Sequence, residues 1–331
     1  MAGCDVLAVD RRKLPGFPVQ CAEFVPVMLA QELDGLGAVT RQRIGSMITV
    51  IESRAPDLKD DFPGLIIDRA AFDATLVARA QSAGAECRFR TEVSAIDEQG
   101  AVTLSSGDRV NPRLIIGADG PRSVVGKAIG QPNTELVETR QVTVPLLKQH
   151  EATDIFLGAD IPGGYAWLFP KGAFANLGIG TAPFAKARLK PVLEGLHRWL
   201  RDEGRVGTSV LGYTGGAIPV GGMRQAVRFL GHVPTLLAGD AAGLTNPVTG
   251  AGIVSAVVSG RLAGESAAQW AAGKSDALTD YFEELDDLFS TALNRALRRR
   301  NELLRYYENG AKPSPAALQR GWVSYPEYWA A

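Results

Sequence analysis

The most informative run of the sequence joins a short apolar segment to a glycine-rich turn and a stretch of small residues. The apolar segment, 235–238, is typical of a buried strand, and it stops at Gly239-Asp240. Gly250 and Gly252 lie in a turn that brings backbone amides close to a ligand, because glycine has no Cβ. The stretch that follows predicts a helix whose positive end faces that ligand. Asp240, at the end of the strand, is placed to accept hydrogen bonds from sugar-type hydroxyls.

A second strand-to-turn junction combines a glycine with an acid in the same way. Residues 114–116 are apolar and predict a strand that leads into Asp119-Gly120. This pair permits a sharp turn, and the residues after it open a predicted helix whose first turn favours phosphate. By itself an Asp-Gly pair after a strand is as often an ordinary turn.

A third buried-type strand, 5–10, ends in an acid, Asp10, with Arg11 beside it. In dinucleotide-binding βαβ units an acid at the end of the second strand binds the adenosine ribose hydroxyls. Asp10 is therefore a candidate for that contact, and a solvated loop acid is the alternative.

The first two runs resemble motifs of the FAD-dependent oxidoreductases of the aromatic-hydroxylase and geranylgeranyl reductase superfamily. Residues 237–253, LAGDAAGLTNPVTGAGI, are similar to the second flavin-binding motif of that superfamily. Residues 117–125, GADGPRSVV, are similar to its Asp-Gly motif beside the FAD pyrophosphate. The resemblance implies FAD as the cofactor, with these cofactor-binding residues: Asp10, Arg11, Arg69, Asp119, Gly120, Gly239, Asp240, Pro247, Thr249, Gly250, Ala251, Gly252 and Ile253.

An aromatic run is similar to the substrate-lining motif of one branch, the geranylgeranyl reductase family. It spans 162–170 and reads PGGYAWLFP. The resemblance implies that Tyr165, Trp167 and Phe169 contact the substrate, and amphipathic or flat rings suit a long apolar polyprenyl chain. Plain core packing is the alternative for an aromatic strand.

Residues 18–23, PVQCAE, resemble the cysteine-containing segment of the same family. That resemblance implies a catalytic Cys21 beside the isoalloxazine, where it orients the substrate or relays a proton. A small buried hydrophobe is the alternative reading of Cys21. Arg69 matches a family position near the cofactor, and a surface arginine at the start of a helix is its alternative.

The resemblance implies the reduction of double bonds in an isoprenoid chain, such as a geranylgeranyl group, by hydride transfer from reduced FAD. NADPH or another reductant is then the electron donor. Amides at 249–252 and the helix behind them suit the negative charge of reduced flavin. A flavin-dependent monooxygenase shares the two corner motifs and is one alternative. A non-catalytic remnant that cannot hold FAD is the other. The isoprenoid head group, the number of bonds reduced and the oligomeric state stay open.

One expected motif is not found in the sequence. A Gly-x-Gly-x-x-Gly fingerprint is expected about 20 residues before the acid that binds ribose. Only nine residues precede Asp10, and they contain no such motif. Residues 1–4 are typical of the end of a first helix. We hypothesise that the sequence is a shortened form without the first strand, the phosphate loop and most of the first helix.

The order of predicted elements favours an α/β fold. A helix over 69–83, N-capped by Asp68, is predicted from its apolar face. We expect a discontinuous Rossmann-like FAD-binding domain without its first βα unit, a mixed β-sheet substrate domain and a helical C-terminal part. The expected division is 1–35, 68–130 and 231–270 for the FAD-binding domain, 36–67 and 131–230 for the substrate domain, and 271–331 for the helical region.

The composition argues against a nucleic-acid partner, a disulfide framework and a metal site. The 331 residues carry a formal net charge of −1, which gives no reason to expect nucleic acid as a partner. An odd number of cysteines without paired spacing argues against a disulfide framework and fits a reducing compartment. Three scattered histidines give no metal-ligand spacing. These residues are Cys4, Cys21 and Cys87, and His150, His197 and His232.

No apolar stretch reaches the length of a membrane span, and the first 20 residues do not resemble a signal peptide. A cytoplasmic location with peripheral membrane association is therefore expected. A group of arginines near the C-terminus suits an anionic membrane surface or a prenyl diphosphate, whereas neighbouring acids such as Glu302 favour a solvated helix face. The group is Arg295, Arg298, Arg299, Arg300 and Arg305.

Overall fold

The computed structural model describes residues 3–52 and 54–330. Its strands are β1 (Leu7–Asp10), β2 (Phe24–Pro26), β3 (Thr40–Ile44), β4 (Ser46–Ile51), β5 (Asp57–Lys59), β6 (Gly64–Ile67), β7 (Glu86–Phe89), β8 (Val93–Ile96), β9 (Val102–Leu104), β10 (Arg109–Val110), β11 (Ile115–Gly117), β12 (Leu136–Pro145), β13 (Ala152–Leu157), β14 (Ala166–Lys171), β15 (Phe174–Thr181), β16 (Gly212–Thr214), β17 (Ala217–Pro219), β18 (Val227–Leu230) and β19 (Val233–Leu237).

Its α-helices are α1 (Leu29–Glu32), α2 (Leu36–Val39), α3 (Arg69–Ser82), α4 (Val124–Ala128), α5 (Leu189–Asp202), α6 (Ile253–Ala271), α7 (Ala277–Leu285), α8 (Thr291–Glu308), α9 (Pro315–Arg320) and α10 (Pro326–Trp329). Short 3₁₀ segments cover Pro183–Arg188 and Gly239–Ala242, and a π segment, Asp286–Ser290, joins α7 to α8. The expected α/β class, with a mixed sheet and a helical C-terminal part, is confirmed.

Parallel strand pairs carry the acidic corners. β1 pairs with β7, and β11 pairs with β19, to whose other edge β18 adds antiparallel. Within 3–52 and 54–330, no ladder joins the β1–β7 pair to the β11–β19 pair. The carboxyl ends of parallel strands lie at one edge, so each pair presents the turns that follow its strands together.

Helix α3 begins and ends where the sequence predicts. The Asp68 carboxylate accepts a hydrogen bond from the Ala71 amide at 2.9 Å, which caps the helix. Phe72 is buried on the face that packs against β2 and β6. The predicted end of a first helix at 1–4 falls partly outside the described residues, and Gly3 and Cys4 are not helical.

The largest sheet has the strand order β16-β12-β15-β14-β13-β4-β5, with β17 on the remaining length of β12. β13 and β4 are parallel, and the other pairs are antiparallel. One face is covered by α5, whose Leu189, Leu193 and Leu200 are buried at helical spacing. The sheet therefore has a core of its own, apart from the core around β11 and β19.

The C-terminal helices connect the two cores. The Tyr281 hydroxyl on α7 donates a hydrogen bond to the Leu237 carbonyl of β19 at 2.7 Å. Leu318 and Trp322 pack on the other face of the large sheet, against Trp167 and Phe169 of β14. We propose for the chain the three-part division given by the sequence. The small sheet β2-β6-β3 joins its first two parts, because it combines strands from both.

Candidate flavin and substrate site

The two glycine–acid corners meet at the carboxyl ends of adjacent parallel strands. Gly117 lies opposite Leu237 in the ladder, and the Ala238 amide donates to the Gly117 carbonyl at 3.0 Å. The Asn133 side-chain amide donates to the carbonyl of Asp240 at 2.8 Å and to that of Pro121 at 3.3 Å. Asn133 thus ties the Asp119-Gly120 turn to the Gly239-Asp240 turn, although no sequence motif pointed to it.

The Asp119 carboxylate organises its own turn. It accepts hydrogen bonds from the Ser123 hydroxyl and from the amides of Val124 at 2.7 Å and Val125 at 3.1 Å. These contacts hold the start of α4, as a capping carboxylate does. Gly120 has open space where a Cβ would stand. The backbone of this turn therefore remains accessible to a ligand while the side chain of Asp119 is engaged.

Asp240 is half-buried beside the second turn. Its carboxylate accepts a hydrogen bond from the Thr245 hydroxyl at 2.7 Å. Burial raises the pKa of Asp240, whereas the Thr245 bond and the charge of Arg69 act to lower it. A Cβ on Gly252 would stand 3.1 Å from Asp240 Oδ1 and 2.8 Å from Thr245 Oγ1, so only glycine lets the turn pass this close.

The loop 246–252 is held by its own polar groups. The Asn246 side-chain oxygen accepts the amides of Val248 and Thr249, both at 3.0 Å, and the Ala251 amide donates to the Thr249 hydroxyl at 3.3 Å. Pro247 is buried within the loop, and Gly250 adopts a left-handed conformation. Helix α6 then begins at Ile253, and no side chain caps it.

These residues fit a flavin dinucleotide. An uncapped helix N-terminus offers amides to negative charge, and a half-buried carboxylate at a strand end offers acceptors to hydroxyls. The Asn133 side-chain oxygen is buried between the corners without a hydrogen-bond partner among the described residues. Such a buried group requires a partner, which a bound ligand or water supplies.

Cys21 lies next to Arg69, the candidate cofactor residue at the start of α3. Burial raises the pKa of the Cys21 thiol, against the opposing effect of the Arg69 charge. Burial also acts to lower the pKa of Arg69, but Cys21 and Asp73 outweigh it and raise that pKa. The Asp73 carboxylate accepts a bond from Arg69 Nε at 2.7 Å and fixes the guanidinium. The thiol is thus protonated and faces a fixed cation.

Glu23 organises the segment that carries Cys21, and sequence reasoning missed it. Its side chain is 3% exposed and accepts hydrogen bonds from the Arg69 amide at 3.0 Å, Lys171 Nζ at 2.6 Å and Asn176 Nδ2 at 3.0 Å. Its own amide points to Cys21 Sγ at 3.1 Å. The only signal was its place in the run 18–23, because the partners come from distant elements.

The aromatic residues of the predicted substrate wall lie next to the flavin loop. The Tyr165 hydroxyl donates to the Thr249 carbonyl at 2.6 Å. Trp167 Nε1 donates to the Gln141 side chain at 3.1 Å, and Gln141 in turn donates to the Cys21 carbonyl at 3.0 Å. The structure therefore brings the aromatic strand, the flavin loop and Cys21 together.

The rings form a continuous surface that the C-terminal region covers. The ring centroids of Tyr165 and Trp167 are 5.6 Å apart, and those of Trp167 and Phe169 are 6.4 Å apart. Trp322 covers Tyr165, with 4.8 Å between their centroids. Trp167 and Phe169 are buried, so they also serve as core in this conformation.

Asp10 and Arg11 lie at the end of the other parallel pair. The Asp10 carboxylate accepts the Arg12 amide at 2.8 Å, and Arg11 is exposed. Among the described residues, no hydrogen bond or ion pair joins Asp10 to Asp119 or Asp240. Asp10 and Arg11 therefore make no direct contact of this kind with the two glycine–acid corners.

Within the described part of the chain, no cluster of acidic, histidine or cysteine residues is arranged to hold a metal ion. The same residues include no helix that is long and apolar enough to span a membrane.

A parallel-strand corner with a half-buried acid, an uncapped helix and an adjoining aromatic sheet fits an FAD-dependent oxidoreductase. The chain matches a model of an FAD binding domain over residues 65–162 and a model of the geranylgeranyl reductase catalytic domain over residues 136–218. Digeranylgeranylglycerophospholipid reductase 2 of Methanopyrus kandleri is 32% identical over 318 residues, which cover 90% of this chain and 79% of that protein. The chain belongs to the geranylgeranyl reductase family.

A second relative supports this family assignment, and two solved structures share the fold. Digeranylgeranylglycerophospholipid reductase of Methanocella arvoryzae is 30% identical over a match that covers 96% of this chain and 86% of that protein. The crystal structure of a geranylgeranyl bacteriochlorophyll reductase-like protein from Thermoplasma acidophilum has a TM-score of 0.81 at 22% identity, covering 99% and 92% of the two chains. A probable FAD-dependent monooxygenase of Pseudomonas aeruginosa, pqsL, shares the fold with a TM-score of 0.69 at 18% identity, covering 91% and 90%.

Proposed function

We propose that the protein saturates double bonds of geranylgeranyl chains carried by a prenyl lipid. The observation that supports this most is the Tyr165–Thr249 hydrogen bond, which attaches the aromatic strand to the flavin loop. The names of the related glycerophospholipid reductases support the substrate class. Bound FAD, once reduced, supplies the hydride.

The cofactor-binding residues predicted from the sequence have different roles in this proposal, according to their positions. The Asp240 carboxylate accepts hydrogen bonds from hydroxyl groups of the cofactor. The backbone amides at the start of α6 stabilise the negative charge of the cofactor. Arg69 adds a cation close to both Asp240 and Cys21. Asp119 and Gly120 shape the neighbouring turn, and Asp10 and Arg11 bind the adenosine end. The other positions form the walls of the loop: Gly239, Pro247, Thr249, Gly250, Ala251, Gly252 and Ile253.

Cys21 holds the proton that the second alkene carbon needs. Saturation adds a hydride to one carbon and a proton to the other, so the site requires an acid beside the chain. The Cys21 thiol is protonated at neutral pH, because burial raises its pKa. Arg69 beside it stabilises the thiolate that remains after the transfer. Tyr165, Trp167 and Phe169 orient the isoprenoid against this acid.

The electron donor in this proposal is NADPH or another reductant. Stopped-flow spectra of the flavin-loaded chain, mixed without oxygen with NADPH or with reduced ferredoxin, distinguish these donors. Rapid bleaching of the flavin absorbance identifies the donor that is used.

We also propose peripheral contact with a membrane, in a cell compartment that is reducing. A lipid with geranylgeranyl chains remains in bilayers, since each buried CH₂ contributes about 0.8 kcal/mol. An open groove of about 890 Å³ includes Val27 and Leu146, and the adjoining Met28, Leu147 and Phe174 are exposed. Sedimentation with phosphatidylglycerol vesicles tests this contact, and Met28→Asp is expected to weaken it.

The decisive experiment is product analysis by mass spectrometry. Purified protein, FAD, the reductant and a geranylgeranyl glycerolipid are incubated without oxygen, and the product is expected to gain one pair of hydrogens for each bond. Oxygen-dependent hydroxylation without saturation would identify a monooxygenase instead. A chain that retains no FAD after gel filtration would support the non-catalytic alternative.

A further inference from the structure

Arg300, on α8, is a buried cation without a carboxylate partner. Its side chain is 5% exposed, and its Nη1 donates to the carbonyl of Gly163. Its Nε is buried without any hydrogen-bond partner, and among the described residues no carboxylate lies within ion-pair distance of it. The exposed Glu135 acts on it only electrostatically. At least one donor of the guanidinium is therefore unused.

The neighbouring arginines of α8 differ from Arg300. Arg299 is buried as well, but it pairs with Glu302 at 2.9 Å and donates to the Tyr328 carbonyl at 3.1 Å. Arg295 lies 5.0 Å from the centroid of the Trp329 ring. Arg298 is exposed to solvent. Among the described arginines of this helix, Arg300 is therefore the buried one that lacks a counterion.

A buried charge without a partner is costly, because the interior solvates it poorly. Burial lowers the pKa of Arg300 to about 10, with Glu135 acting in the opposite direction. The side chain therefore remains charged at neutral pH. A cation kept there in spite of its cost indicates an anion that the described residues do not supply.

The place of Arg300 indicates which anion this is. Gly163, its backbone partner, precedes Tyr165 by two residues at the start of the aromatic strand. Gly163 has a φ of +63°, a conformation that glycine favours. A Cβ at this position would stand 3.0 Å from Arg300 Nη2, so the loop passes directly over the guanidinium. One turn earlier on α8, Leu297 approaches Gly222. Arg300 thus lies between the aromatic wall and loops behind the flavin corner.

We propose that Arg300 binds the phosphate of the prenyl lipid's head group, at the start of the aromatic strand. Its fork of donors matches a phosphate oxyanion, and the isoprenoid then extends from this point along Tyr165 and Trp167. The inference rests on the proposed function, to which it adds an anionic head group.

The test compares two probes with the same tail, geranylgeranyl phosphate and geranylgeraniol, in calorimetric titrations of the FAD-loaded protein. The native protein is expected to bind the phosphate more tightly than the alcohol by about 10- to 100-fold, the range of a charge-assisted hydrogen bond. Arg300→Met is expected to remove this preference and to leave the affinity for the alcohol unchanged. Arg300→Lys keeps the charge without the fork and is expected to retain part of the preference.

Arg298→Met is the matched control, because it removes the same charge from an exposed position of the same helix. It is expected to keep the preference for the phosphate. Thermal denaturation without lipid adds a readout that does not depend on binding. Loss of an unpaired buried cation is expected to leave the melting temperature unchanged or to raise it, whereas a purely structural arginine would lower it.

Equal affinity of the native protein for the two probes would overturn the inference, and so would a preference that survives in Arg300→Met. Weaker FAD binding in Arg300→Met, with the lipid preference intact, would assign the guanidinium to the cofactor's pyrophosphate and overturn it too. Native protein that shows the preference but reduces neither probe nor a glycerolipid would contradict the proposed reaction and leave the phosphate site standing.

Discussion

The Tyr165 hydroxyl and the Thr249 carbonyl are 2.6 Å apart, and this hydrogen bond joins the aromatic strand to the flavin loop. Tyr165 directly precedes β14 of the large sheet, whereas Thr249 follows β19 in the parallel unit. The two surfaces that must meet for hydride transfer are thus fixed relative to each other by a contact between distant segments.

Tyr165→Phe removes only that hydroxyl. It is expected to destabilise the protein by about 1–2 kcal/mol, because the Thr249 carbonyl loses its buried partner. FAD affinity is expected to fall as the loop loosens. Thermal denaturation and flavin fluorescence titration measure the two effects. Tyr213→Phe is the control, since Tyr213 is 71% exposed. An equal loss in both variants would contradict this role of Tyr165.

Gly252→Ala places a methyl group 2.8 Å from the Thr245 hydroxyl oxygen. Overpacking of this kind costs about 1–3 kcal/mol, so FAD is expected to bind about 5- to 100-fold more weakly. Gly260→Ala, inside helix α6, meets no atom within 4 Å and is expected to stabilise the protein by about 0.5–1 kcal/mol. Unchanged FAD affinity in Gly252→Ala would contradict the close approach.

Asp240→Asn tests the acid at the end of β19 through pH dependence. Burial raises the pKa of Asp240 in the folded chain, so ionisation costs stability above its ordinary pKa. The FAD-free native chain is expected to gain stability as pH falls from neutral through that raised pKa, and the variant should lack this gain. Melting temperatures across a pH series measure the difference. At neutral pH the variant should be at least as stable as the native chain and bind FAD less tightly.

Glu23→Ala leaves Lys171, whose side chain is 25% exposed, without its carboxylate partner. Breaking a fully buried pair from one side costs about 3–5 kcal/mol, and solvent at Lys171 reduces this, so a loss of about 1–3 kcal/mol is expected. Lys171→Met in the same chain should restore much of it, which a double-mutant cycle in urea measures. Additive losses would show that the pair is not coupled.

Cys21→Ala is expected to lower kcat about 100-fold or more, since it removes the acid that protonates the alkene. FAD binding should stay close to native, because the proposed role of the thiol is proton transfer and not the anchoring of the cofactor. Cys21→Ser keeps a side chain of similar size whose hydroxyl is a weaker acid than the thiol, so partial activity is expected. A native kcat in Cys21→Ala would contradict the assignment of the proton to this thiol.

The local elements of this fold could be predicted from the sequence, and the contacts among them could not. Asp68 and the apolar face of α3 predict that helix, and the corners at Asp119 and Asp240 carry their own glycine turns. Glu23, Gln141 and Asn133 each have at least one partner more than 100 residues away, namely Lys171, Cys21 and Asp240. No periodicity encodes such pairs, because packing of the sheets brings them together.

The packing of Trp322 over Tyr165 affects the chain during its synthesis. Trp322 is translated more than 150 positions after the ring it shields, when the strands of the large sheet have already left the ribosome. The nascent chain therefore presents bare aromatic rings until its last helices emerge, and it depends on prompt closure or chaperones during that interval. A premature stop codon ahead of Trp322 would leave those rings permanently uncovered and prone to aggregation.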